Sequence, residues 1–444
     1  MKRFITFLFF PIAVLTTFAA IAPNAVRSKI NGIDVIAYPT GVQNVVTFKA
    51  SLPAGDAFAN EGNVAIPTLT GMLLDQGTTK QDKFAIAEKL ESVGATIEFS
   101  VDTQMVEVSA KCLKKDVPLV IALIAEQLRT PALSAEEFDK AKKQFAGGLQ
   151  RQLEDTSFRA ADAFTRAVYP AGHPNHNPAP EELLAATESA KLEDVVAFHK
   201  KYYGPDYLTL VVVGDLDLPQ IQTEIGKSFA GWTGGVAVSA PAKAMPTDTA
   251  KEQTVFMPDK TSVSVIFGQA SGLRYSDPDY QALRVATAIL GSGFTGRLMA
   301  NVRDKEGLTY GIGSNLSHDA FSDGDWKIQA TFSPALLDKG IASAKRQLAS
   351  WYETGVTPAE LEARKTNLVG TYKVSLATTE GMAGALLSAV HRGYDVNWLD
   401  QYPEKIGALT TEQVNAAIKK HLKPDDMVLI KAGTVTGTLS PSAK

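Results

Sequence analysis

The chain has 444 residues, of which 45% are hydrophobic and 21% charged. This is ordinary globular composition; it excludes wholesale disorder, and the length suggests about two to four domains, each able to bury a core. A net charge of −4 offers no basic excess and argues against nucleic acid as a partner.

Lys2 and Arg3 precede an apolar run from Phe4 to Ala22 that ends in small residues. This pattern predicts a secretory signal peptide over 1–22, cleaved between Ala19 and Ala25, with a retained membrane anchor as the competing reading. The leader holds two of the 44 basic residues and no acidic one, which leaves 42 basic against 48 acidic residues after cleavage. Cys112 is the only cysteine, so no intramolecular disulfide can form. Export without disulfides points to a bacterial periplasm, with no stable membrane span once the leader is gone.

Met105-Val-Glu-Val-Ser-Ala-Lys-Cys112 alternates as a strand, and Leu133-Ser-Ala-Glu-Glu-Phe-Asp-Lys-Ala-Lys142 carries the signature of a capped helix start. His173-Pro-Asn-His176 precedes Asn-Pro-Ala-Pro and reads as a loop. Its two imidazoles lie three apart off any helix face, so no metal site is assigned to it. Leu192 to Tyr203 is an amphipathic helix, followed by the apolar strand Tyr207–Val213. Trp232 to Thr249, rich in Gly, Ala, Ser and Pro, is a linker. The next stretch is Leu290-Gly-Ser-Gly-Phe-Thr-Gly-Arg-Leu-Met-Ala-Asn-Val-Arg303-Asp-Lys-Glu-Gly307-Leu-Thr-Tyr310. It predicts a helix ending near Gly291–Gly293, a second helix from Thr295 to Lys305, a turn at Gly307 and a strand from Leu308. That turn brings Arg303 and Tyr310 together, two side chains able to donate to one carbonyl oxygen.

Later segments echo earlier ones. Asp325–Ala330 corresponds to Met105–Ala110, Val356–Lys365 to Leu133–Lys142, and Thr411–Leu422 with Met427–Ile430 to the helix and strand that close the first half. The chain is therefore an internal repeat of about 220 residues. The expected fold class is α+β, with two similar lobes, each a mixed sheet packed against helices. The expected bounds are 26–222 for the first lobe, 223–252 for the linker region and 253–436 for the second lobe.

The Gly-rich turn, Arg-Leu, and then Arg303-x-x-x-Gly307-Leu-x-Tyr310 resemble the pitrilysin/insulinase/processing-peptidase family of zinc metallopeptidases, with Val302 where that family has Leu. Tyr202-Tyr203-Gly-Pro205-Asp and Gly77-Thr78 extend the resemblance along the chain. Catalytic members carry His-x-x-Glu-His on a helix of the first lobe and a distal Glu on another. Here the corresponding stretch, Gly62 to Thr78, offers neither His nor Glu at the metal positions, the distal position falls near Leu149, and no His precedes His173.

The resemblance thus implies a non-catalytic subunit with no metal or cofactor of its own. Its expected partner is a zinc-bearing His-x-x-Glu-His homologue in a heterodimer, acting on an extended peptide substrate. Arg303 and Tyr310 would bind the substrate carbonyl and oxyanion in the partner's site, with Gly291, Gly293, Phe294 and Gly307 forming the substrate surface. The alternative is a structural or peptide-binding family member with no peptidase role.

Overall fold

The computed structural model describes residues 20–59, 62–238 and 252–435; residues 1–19 of the expected leader and 239–251 of the linker region lie outside the described residues. The first sheet contains β1 (Val26–Ile30), β2 (Ile33–Pro39), β3 (Val45–Leu52), β4 (Thr96–Val101), β5 (Val106–Leu113) and β6 (Thr209–Gly214), in the order β1-β2-β6-β3-β5-β4. The second contains β7 (Glu252–Phe256), β8 (Val263–Ala270), β9 (Gly311–Ser317), β10 (Asp325–Phe332) and β11 (Val428–Gly433), in the order β7-β11-β8-β10-β9. Each sheet has one parallel pair, β2 with β6 and β7 with β11, and is otherwise antiparallel. Without β1 the two orders coincide, so the sequence repeat is a repeat of topology.

Several helices start at side-chain caps. Ser134 accepts from the Glu137 N–H at the head of the Ala135–Leu153 helix, and Thr357 forms a full capping box with Glu360 at the head of Pro358–Ser375. The helix Leu218–Ser228 runs past the expected lobe boundary at 222. Its Ile221 and Ile225 are buried in the first core, which holds residues 223–228 out of the linker.

The central strands are buried on both faces, which is why β6 reads Thr-Leu-Val-Val-Val-Gly instead of alternating. Leu210 and Val212 join the core of their own half. Val211 and Val213 instead meet Met382, Ala383, Leu386 and Leu387 of the Thr379–His391 helix, which comes from the other half of the chain. The converse holds on the second sheet. Ile266 of β8 and Val428, Ile430 and Ala432 of β11 pack on Ala160, Ala163, Phe164 and Val168 of the Thr156–Val168 helix. Each half thus lends one helix to the other half's sheet, and the lobes are interlocked as well as tethered.

Polar contacts follow the same exchange. Thr47 and Thr379 share a hydrogen bond of 2.8 Å, and Ser51 Oγ lies 2.6 Å from His391 Nε2. Asp400 accepts from the Ile21 and Ala22 N–H groups at 2.7 and 2.9 Å, docking the start of the described chain on the second half. Cys112 is buried in β5, and burial pushes its thiol up to about 12, which makes it an inert core residue.

Two outcomes follow from the interlock. Phe164→Ala and Leu386→Ala, each far from its own sheet in sequence, should each destabilise the whole chain by roughly 2–5 kcal/mol in a denaturant titration. Burial, aided by the nearby Arg392 charge, depresses His391 to about 4. Its neutral form is the one the fold favours, so its contribution is complete above about 6.5 and is lost as pH falls towards 4. Replacing His391 with Gln should therefore flatten acid destabilisation over that window by about 2–3 kcal/mol, read from melting curves between pH 4 and 7.

Candidate functional site

The glycine-rich turn sits on a rigid base. The Tyr280–Gly291 helix is almost wholly buried and ends against β9. A Cβ on Gly291 would lie 2.3 Å from the Ser314 N, so only glycine permits this approach. The chain reverses through Gly293, where φ is +69°, and enters a second helical segment at Arg297. Arg297 grips Glu360 through two hydrogen bonds of 2.7 Å and donates to the Gly355 carbonyl at 2.9 Å. This fork is tied to the same Glu360 that caps the Pro358–Ser375 helix.

The second helical segment departs from the α-helix expected over Thr295–Lys305. From Met299 to Lys305 it is a π-helix, with the Glu306 N–H donating to the Asn301 carbonyl. Buried Leu298, Met299 and Val302 fix its inner face, while Glu306 is held by Ser343 and Arg346. The extra residue per turn shifts the register after it, as π segments do at functional sites. Gly307, at φ +63°, then ends the segment, and the Leu308 N–H returns to the Val302 carbonyl at 3.0 Å. The strand begins at Gly311 and not at Leu308. Thr309 Oγ1 bonds the Gly311 and Thr331 carbonyls and keeps residues 308–310 out of the ladder.

This path brings Phe294, Arg303 and Tyr310 together at the surface. The Arg303 guanidinium lies 5.2 Å from the centroid of the Phe294 ring and 5.3 Å from that of Tyr310. The rings are 71% and 88% exposed, far more than a core role requires. The nearest charge partner of Arg303 is Asp304, at the limit of ion pairing at 4.0 Å. Stacked on ring faces, a guanidinium keeps its N–H edge for an acceptor. The tyrosine hydroxyl, set just before the edge strand β9, is a second donor on the same side of the chain. Gly291, Gly293 and Gly307 shape the backbone that presents these three side chains.

The metal-motif stretch is built differently. Its short helix, Ile66–Gly71, buries Ile66, Leu69 and Thr70, and the turns that follow bury Leu73 and Leu74. Leu149 is likewise in the interior. Thr68 donates to Asp56 at 2.7 Å, and burial raises that carboxyl to about 6 against the Thr68 hydrogen bond. These are packing residues with no donor set for zinc, and among the described residues no group of three or more His, Cys, Asp or Glu gathers to hold a metal. All six histidines are engaged in hydrogen bonds.

The His173–His176 loop joins the two halves, a role its sequence gave no pattern to reveal. His173 stacks on Tyr169 at 4.6 Å and reaches Asp323 at 3.4 Å, while Asn175 donates to the His318 and Asp323 carbonyls at 3.0 Å each. Tyr169 donates to Asp325 at 3.0 Å. Burial opposes the Asp325 charge, but Lys327 and His318 outweigh it and hold the carboxyl at about 2. The Arg297–Glu360 anchor was also hidden. Its one available sign was the Thr357-x-x-Glu360 capping box, which places Glu360 but not its partner.

The hydrogen bonds from Arg297, assisted by Thr357, hold Glu360 at about 2 against partial burial. The stabilisation is present above the ordinary glutamate range near 4.5 and is lost as pH falls towards 2. Glu360→Gln should cost about 1–2 kcal/mol at pH 7, after allowance for solvent screening, and the difference from wild type should vanish near pH 2 in urea titrations.

Residues 46–175 match the family described as Insulinase (Peptidase family M16), and residues 189–368 match the Peptidase M16 inactive domain. A Helicobacter pylori protein named Non-peptidase homolog YmxG is 23% identical over 379 residues, spanning 84% of this chain and 85% of its own. An uncharacterised zinc protease of Streptomyces coelicolor is 22% identical over 360 residues, spanning 78% and 76%. The crystal structure of a peptidase M16 inactive domain from Pseudomonas fluorescens superposes with a TM-score of 0.86 at 24% identity, over 94% of this chain and 99% of that one. A Helicobacter pylori protease gives 0.81 at 18% identity, over 92% and 99%. Both likenesses speak to the fold. With two family matches in tandem along one repeated architecture, the chain belongs to the M16, insulinase-type peptidase family, and it does so without the His-x-x-Glu-His motif.

Proposed function

We propose that this chain is the non-catalytic subunit of a two-chain M16 metallopeptidase, exported to the periplasm and paired with a zinc-bearing homologue. The observation that carries this reading is the contrast between the two half-sites. The metal positions have been absorbed into the core, whereas Phe294, Arg303 and Tyr310 form an exposed unit on a braced backbone. A surface that served packing alone would not leave an aromatic pair so far in solvent with an arginine held between them.

Zinc chemistry belongs to the partner in this reading. What this chain supplies is positioning. The Arg303 N–H edge and the Tyr310 hydroxyl donate to the carbonyl of an extended peptide and to the negative oxygen that develops there. Phe294 keeps the guanidinium flat and oriented. Preorganised donors of this kind are worth about 2.7–4 kcal/mol each in comparable sites. The name of the Helicobacter pylori relative, a non-peptidase homolog, fits a chain that does not cut alone.

The test is peptide hydrolysis by the purified chain alone and mixed with a co-exported zinc-bearing relative, with bound zinc quantified. Activity is expected only in the mixture, with zinc on the partner. Arg303→Ala and Tyr310→Phe should each lower turnover of the mixture by ~10²-fold with assembly intact. Full activity in both variants would remove the proposed role. Stoichiometric zinc and hydrolysis in the lone chain would overturn the reading altogether.

A further inference from the structure

On the far side of the exchanged Thr379–His391 helix, a cavity of about 370 Å³ opens between it and three helices of the second half. Its walls are aromatic. Tyr394 and Trp398 stack at 4.7 Å with an interplanar angle of 14°, and Tyr394 is pinned by a hydrogen bond of 3.0 Å to the Tyr275 carbonyl. Two guanidinium groups line the same space, Arg284 and Arg392.

Neither arginine forms an ion pair among the described residues. Arg284 donates to neutral acceptors, the Tyr402 hydroxyl at 2.8 Å and the Gln281 side chain at 3.3 Å. Arg392 lies flat on Tyr275, 3.8 Å from the ring centroid, and donates to Ser388 at 2.5 Å. Its Nε is buried without a protein acceptor. Asp319 feels the charge of Arg392 but accepts from the Tyr280 hydroxyl at 2.5 Å and pairs with neither arginine. Two like charges at one partly desolvated cavity are mutually unfavourable, and an anion between them relieves both.

The floor of the cavity is kept open by a small residue. Gly384 sits inside the Thr379–His391 helix, where glycine is disfavoured, and a Cβ built on it meets no atom within 4 Å. Nothing in backbone geometry or packing requires glycine there; what its absence of side chain preserves is the space. A concave, mostly aromatic pocket with a few convergent charged donors is the usual form of a small-ligand site.

We infer that this cavity binds an aromatic carboxylate, with its ring against the stacked Tyr394–Trp398 wall and its anionic end on Arg284 and Arg392. The site is separate from the Phe294–Arg303–Tyr310 surface and does not depend on the peptidase reading. The same chemistry is offered by a free aromatic acid and by the C-terminal aromatic residue of a peptide.

The experiment is isothermal titration of the full chain with 3-phenylpropionate and with a short peptide ending in Phe, each compared with its amide. The carboxylates should bind at least tenfold more tightly than the amides. Gly384→Leu, which fills open space, and Arg392→Gln should each weaken binding by tenfold or more, with thermal melts verifying that the variants are folded. Binding of the free acid alone assigns a small-molecule site, and binding of the peptide alone assigns a chain-terminus site; either supports the inference. Absence of binding by both carboxylates, equal binding of acid and amide, or undiminished binding by a folded Gly384→Leu would overturn it.

Discussion

Each sheet of this protein has two apolar faces, while the helices of its own half cover only one. The reciprocal loan of the Thr156–Val168 and Thr379–His391 helices resolves this, and the remaining features hang on it. Val211 and Val213 on one sheet, and Ile430 and Ala432 on the other, would face water without the borrowed helix. Each such side chain contributes about 1.5–3 kcal/mol on full burial, so the exchange is a large share of a marginal total stability. It also fixes the halves relative to each other. The Tyr169–Asp325 and His173–Asp323 contacts, and the Ser51–His391 bond, are only possible because those helices have crossed.

The candidate site uses this rigidity at one remove. Arg297 and Glu360 lock the turn from behind, Leu298 and Val302 lock it from below, and the π-helix turns Arg303 outward. The polar investment is thus behind the surface, and the surface itself is left with one arginine and two rings. A site that acts on a ligand by donating hydrogen bonds needs this arrangement: fixed supports and uncommitted donors. The first half shows the opposite allocation, with Leu69, Leu73 and Leu149 committed wholly to packing.

Much of this was legible in the residues because it is written in local chemistry. Ser134 and Thr357 announce their helices through capping, β5 alternates because one of its faces is partly exposed, and Gly307 marks a left-handed stop. The proximity of Arg303 and Tyr310 followed from that stop. The helix exchange was not legible, since hydrophobic periodicity shows that a face is buried but not against what. The π register of Met299–Lys305 was likewise hidden, because its spacing of Met299 and Val302 serves an α-helix equally well. The Leu218–Ser228 helix crosses the expected boundary at 222, because Ile221 and Ile225 lie on one amphipathic face. The leader, the zinc-bearing partner and the periplasmic setting rest on the resemblance and on composition, and they stand as proposals.

The exchange also sets an order of events for a chain made from its N-terminus. The last strand of the first sheet ends at Gly214, whereas the helix that shields its outer face is not complete until His391, 177 residues later. At about 5–20 residues per second, that interval lasts roughly 10–35 s. Throughout it, a nearly finished sheet carries an open apolar face while the Thr156–Val168 helix waits for a sheet that does not yet exist. Such a nascent chain is a client for holding factors, and a truncation anywhere before residue 379 would leave that face permanently bare. The interlock that makes the finished protein a single unit is, during its birth, the interval of its greatest exposure to aggregation.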